Sequence, residues 1–127
     1  MITVSEVRDA LGEAYETYPS DTIIQGFIDR RSEELRELTG LSDLAQASYQ
    51  SLLKKWLLNK VCIDVLRYEL LGKDATQALD YSIGDFKASK RKNVDLKLKW
   101  IETMEEAADK ALDEYFAKTI SFEAVSP

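Results

Sequence analysis

Histidine is absent from the 127-residue sequence, and Cys62 is its only cysteine. Without histidine, the chain lacks the usual general base near neutral pH, the commonest metal ligand and every Ser–His or Cys–His nucleophile. One cysteine forms no intramolecular disulfide, and a zinc site takes several Cys or His ligands. The P-loop pattern and the dinucleotide-binding glycine pattern are also missing. These absences predict a protein without enzymatic activity, bound metal or cofactor, in which Cys62 is a small buried apolar residue.

Carboxylates remain as the groups that an enzyme of this composition would use. Four of them are spaced to share part of one helix surface, namely Glu102, Glu105, Glu106 and Asp109. Charged outer faces are the rule for amphipathic helices, so we expect a solvated face there and keep a carboxylate-dependent enzyme as a third interpretation. Asp64 lies inside an apolar stretch, and we expect it to pair with Lys60 or Arg67, one helical turn away on either side.

Glycine and proline are also scarce, with five and two residues. This scarcity favours long helices over a sheet-rich fold with many turns. No apolar run approaches the roughly 18 residues that a membrane span needs. The N-terminus shows no basic segment followed by an apolar stretch, so we expect no signal peptide and a soluble protein of a reducing compartment. The length of the chain suits one domain.

Two amphipathic helices are predicted in the first part of the chain. Thr3 and Glu6 fit a capping box at the start of the first helix, which covers Val4–Leu11. The second helix follows a turn at residues 19–21 and ends at Gly40, with its apolar residues at the three-to-four spacing of an amphipathic helix.

Two longer helices are predicted after these. The central one covers residues 49–71, and its apolar band is too broad for a helix with one wet side, so we expect neighbours packed around it. The last helix begins where Asn93 caps it. Its stripe consists of Leu96, Trp100, Ile101, Met104, Ala107, Ala108, Ala111, Leu112, Tyr115 and Phe116.

Two segments alternate apolar and polar residues instead. In residues 81–89, Gly84-Asp85 supplies a turn, which predicts a short hairpin or extended loop before the last helix. Residues 119–125 alternate like a strand. The predicted fold is therefore all-α, with a four-helix single domain over residues 1–118 and an extended C-terminal tail over residues 119–127.

Charge is distributed unevenly along the sequence. The net charge of −6 argues against wholesale binding to nucleic acid. Four positive charges nevertheless cluster within six residues, at Lys87, Lys90, Arg91 and Lys92. One interpretation is a projecting element that contacts a partner or the phosphates of DNA. The other is an ordinary connecting loop with a solvated basic tip.

The tail also has two interpretations. Ile120, Phe122 and Val125 would add to a neighbouring subunit by strand pairing or fill its pocket. Alternatively, the tail is a frayed end, which is the default for chain termini.

The order of these features resembles that of a known protein family. A short N-terminal helix is followed by a second helix that ends in Thr39-Gly40 and by a long central helix that ends in Leu70-Leu71-Gly72. Then comes Tyr81-Ser82-Ile83-Gly84-Asp85, similar to the Tyr-Ser-Ile-Gly-Asp segment common in the head–tail connector (head completion or adaptor) proteins of tailed bacteriophages and proviruses. The resemblance covers about residues 2–118.

The resemblance implies a structural virion assembly protein that acts without catalysis. Such subunits form a ring, typically of twelve, beneath the portal protein at the capsid vertex, where the ring continues the DNA channel and docks the next connector or tail protein. It implies a virion location at the head–tail interface, and the host cytoplasm before assembly.

The resemblance also implies roles for two segments of this chain. The segment between the last two helices would be a docking or channel-lining element, with docking residues Tyr81, Ile83, Gly84, Asp85 and Phe86 and non-specific DNA contacts from the basic cluster. Ile120, Phe122 and Val125 would contact a neighbouring subunit. The alternative function is a small helical DNA-binding or regulatory module that uses residues 87–92.

Overall fold

The computed structural model describes the backbone of residues 1–71 and 84–125, and the side chains of residues 1–71 and 93–119. Four α-helices and two single 3₁₀ turns make up this part of the chain. The helices are α1, Val4–Leu11; α2, Asp21–Thr39; α3, Gln50–Glu69; and α4, Gly84–Val125. The all-α prediction is confirmed, with four helices in a single domain.

Caps fix the ends of the first two helices where the sequence predicts them. The Thr3 hydroxyl accepts a hydrogen bond from the Glu6 N–H at 3.2 Å, and the Ser20 hydroxyl accepts one from the Ile23 N–H at 3.5 Å. Gly40 ends α2 in the left-handed conformation, with a φ of 72°. Glycine adopts this conformation without a steric penalty, which explains why the helix ends there.

Arg8 holds the connection between α1 and α2 in place. Its guanidinium donates to the carbonyl oxygens of Tyr15 at 2.8 Å and Pro19 at 2.7 Å. It also donates to the Asp21 carboxylate at 2.6 Å. A side chain in α1 therefore satisfies two loop carbonyls, which ties the start of α2 to α1.

The third helix is the centre of the domain, as its broad apolar band predicts. It is packed by α1, α2 and α4. Its buried residues point in every direction around the helix axis: Leu53, Trp56, Leu57, Val61, Cys62, Ile63, Val65 and Leu66. A helix surrounded on several sides buries apolar residues all round, which is why its sequence lacks a polar face.

The last helix runs antiparallel to α3 and is much longer. Near the end of α3, Lys97 Nζ donates to the Glu69 carboxylate at 2.7 Å. Just before the start of α3, Lys118 Nζ lies 5.4 Å from the centroid of the Tyr49 ring. The helix has 42 residues against 20 in α3, or about 63 Å against about 30 Å.

Both ends of α4 therefore extend beyond α3. Val94 still packs against the core, so residues 84–93 continue past the end of α3 by about 15 Å. Residues 119–125 continue past its start by about 10 Å.

The predicted hairpin or extended loop is wrong for the residues that the structure describes. Gly84, Asp85 and Phe86, and the basic residues after them, belong to the first turns of α4, while Tyr81 and Ile83 lie outside the described residues. Asn93 is inside the helix, so it is no cap. Residues 87–92 are mostly Lys, Arg and Ala, which favour helix, and an acidic residue such as Asp85 suits a first turn.

The predicted extended tail is also wrong as far as Val125, where α4 ends. Ile120, Phe122 and Val125 are helical, and residues 126–127 lie outside the described part. The Thr119 hydroxyl donates to the Tyr115 carbonyl at 2.7 Å, one helical turn earlier. An alternation of only seven residues is too short to distinguish a strand from the continuation of a long helix.

Candidate interaction surfaces on the last helix

One face of α4 packs against the core. Its buried residues alternate three and four apart, at Ile101, Met104, Ala108, Ala111 and Tyr115. This spacing keeps one stripe of an α-helix facing a neighbour along its length. The stripe contacts α3, so the opposite face of α4 is left for solvent or partners.

The outer face of α4 carries a stripe of carboxylates. Its members lie four, three and four residues apart, all exposed, at Glu102, Glu106, Asp109 and Asp113. Within the described side chains, none of these four carboxylates makes an ion pair. Like charges four residues apart weaken an isolated helix by a few tenths of a kcal/mol, about 0.2–0.5 per pair. The stripe therefore places four negative charges side by side on the outer face of α4.

Glu105 differs from the acidic stripe because it faces α3. Its carboxylate accepts a hydrogen bond from the Arg67 guanidinium. Within the described side chains, no three His, Cys, Asp or Glu residues are grouped to hold a metal ion. Glu105 thus bridges α4 to α3, whereas the acidic stripe faces outward.

Charge changes sign along α4. Residues 84–99 carry six basic and two acidic residues, whereas residues 100–125 carry two basic and seven acidic ones. Apart from Asp85 in the first turn, this order is the reverse of what the helix macrodipole favours, which is acidic residues near the N-terminus and basic residues near the C-terminus. The stability of the helix itself does not account for this order.

The residues predicted as functional fall on the two ends of α4. The basic cluster, residues 87–92, lies in the extension beyond the end of α3, and Ile120, Phe122 and Val125 lie in the extension beyond its start. About 42 Å of helix separates Lys92 from Ile120. The two predicted elements are therefore not brought together.

Exposed leucines flank the outer face and were not anticipated. Leu96, which the apolar pattern predicts in the core stripe, is 57% exposed, and Leu98 is 51% exposed. Both lie close to residue 99, where the sign of the charge changes. The signal was present in the spacing, since neither residue falls on the three-to-four register that runs from Ile101 to Tyr115.

A second apolar surface lies at the end of α3. The Tyr68 ring centroid is 6.1 Å from those of Tyr18 and Phe27, and Arg30 Cζ lies 5.3 Å from the Phe27 centroid. Leu71 beside it is 75% exposed. Such amphipathic aromatic surfaces are frequent in protein interfaces.

Asp64 forms an ion pair, but with a different partner from the predicted ones. Both of its carboxylate oxygens accept hydrogen bonds from Arg31 of α2, at 2.8 and 2.7 Å. Arg31 also donates to Glu34 at 2.7 Å. The hydrogen bonds with Asp64, more than those with Glu34, raise the pKa of Arg31 above its ordinary value. The expectation of Lys60 or Arg67 was wrong, and the bridge joins α2 to α3.

Cys62 is buried as predicted, with 1% of its surface exposed. Burial raises the pKa of its thiol to about 12. The thiolate is the reactive form of cysteine, so a thiol in this environment is chemically inert in the folded protein.

Comparisons with protein-family models, with curated proteins and with solved structures found no match for this chain. None of the helices in residues 1–71 and 84–125 combines the length and the apolar character that a membrane span needs.

Proposed function

We propose that this chain is a structural subunit of the head–tail connector of a tailed bacteriophage or provirus. Copies of the chain would form a ring, typically of twelve, beneath the portal protein, continue the DNA channel and dock the next connector or tail protein. The ring would be part of the virion, and its subunits would be free in the host cytoplasm before assembly. The observation that carries the proposal is α4, which extends beyond α3 at both ends.

A subunit of a stacked ring needs separate surfaces for its neighbours in the ring and for the components above and below. A helix about twice as long as the helix that it packs against supplies surfaces at both ends of the domain. Residues 84–92 at one end directly follow Tyr81-Ser82-Ile83, so the segment that carries the resemblance leads into this extension. Contacts between two different surfaces of one subunit close into a ring when the rotation between neighbours allows it.

The charge of the chain suits a passage for DNA. A net charge of −6 limits tight binding along the channel wall, so DNA would slide past the ring. The basic cluster would give local contact with phosphate groups without sequence preference. Ile120, Phe122 and Val125 at the other end would pack against a neighbouring subunit.

The first test is the position of this protein in purified particles. Virions of the phage or induced provirus are compared with those of a mutant that lacks the chain. We expect the protein to co-purify with virions, and the mutant to give DNA-filled heads that leak or lack tails. Restoring the chain on a plasmid is the control. Absence of the protein from particles, together with normal maturation of the mutant heads, would overturn the proposal.

The second candidate function is a helical DNA-binding or regulatory module, favoured by the four basic residues within one and a half turns of α4. If each contacts a phosphate, log K for DNA binding should fall with log salt concentration with a slope of about −3 to −4. Changing Lys87, Lys90, Arg91 and Lys92 to Ser should abolish this binding. The matched control changes Lys54, Lys55, Lys110 and Lys118 to Ser, which removes the same charge elsewhere. Equal loss in both variants would show non-specific attraction and reject this function.

A further inference from the structure

We draw no further inference here: the strongest candidate, the aromatic surface patch of Phe27 and Tyr68 beside the exposed Leu71 at the end of α3, carries no proposal because nothing in the structure shows what covers it.

Discussion

At the scale of single residues, the Arg31–Asp64 bridge is the most buried ion pair among the described side chains. The Asp64 side chain is 11% exposed, and Arg31 is 20% exposed. The apolar surroundings of Asp64 indicated a structural ion pair, but not its partner. Arg31 is 33 residues away in the sequence, and a helical pattern indicates only neighbours one turn away. The packing of α2 against α3 determines which basic residue pairs with Asp64.

Removing one partner of this bridge should lower the free energy of unfolding more than replacing both partners with apolar residues. Asp64→Ala leaves the Arg31 guanidinium partly buried with only Glu34, so we expect a loss of about 2–4 kcal/mol in the free energy of unfolding. The double variant Arg31→Met with Asp64→Leu leaves no buried charge and should be closer to the wild type. Urea unfolding monitored by circular dichroism measures both. A double variant less stable than Asp64→Ala would contradict this account.

At the scale of elements, the sequence predicted three of the four helices well and misjudged both ends of the fourth. The caps at Thr3 and Ser20 and the glycine at Gly40 are local signals that the structure confirms. The cap predicted at Asn93 and the turn predicted at Gly84-Asp85 are local signals too, but both fall within α4. The ends of α4 lie beyond α3, where core packing does not impose its spacing. The alternations in residues 84–89 and 119–125 were therefore ambiguous, and both segments continue α4 in the structure.

The first turns of α4 should be helical without supporting the core. Ser89→Pro removes a backbone donor within the extension and should lower the helical signal in circular dichroism. We expect the midpoint of urea unfolding to stay nearly unchanged, because the substitution lies beyond the end of α3. Ala108→Pro makes the same change inside the packed part and should unfold the domain, at a cost of about 3 kcal/mol or more. Ser89→Ala is the neutral control. A large loss of stability in Ser89→Pro would show that residues 84–92 belong to the core.

At the scale of the whole molecule, composition and spacing were enough to predict an all-α domain built around α3. The broad apolar band of that helix had one simple explanation, namely burial on several sides, and the structure confirms it. The candidate interaction surfaces were harder to predict. They depend on how far α4 extends past α3 and on which of its leucines leave the core, and these follow from the antiparallel register of the two helices rather than from either helix alone.

Because Cys62 is buried, its reaction with a thiol reagent reports how often the domain opens. The sole thiol of the protein sits on the central helix, where α1, α2 and α4 all pack, so a reagent in solution reaches it only when that assembly of helices comes apart. Because the protein has no second thiol, every molecule labelled in a population has opened at least once. The rate at which the reagent labels Cys62 thus measures rare openings of an otherwise closed domain, with no residue changed.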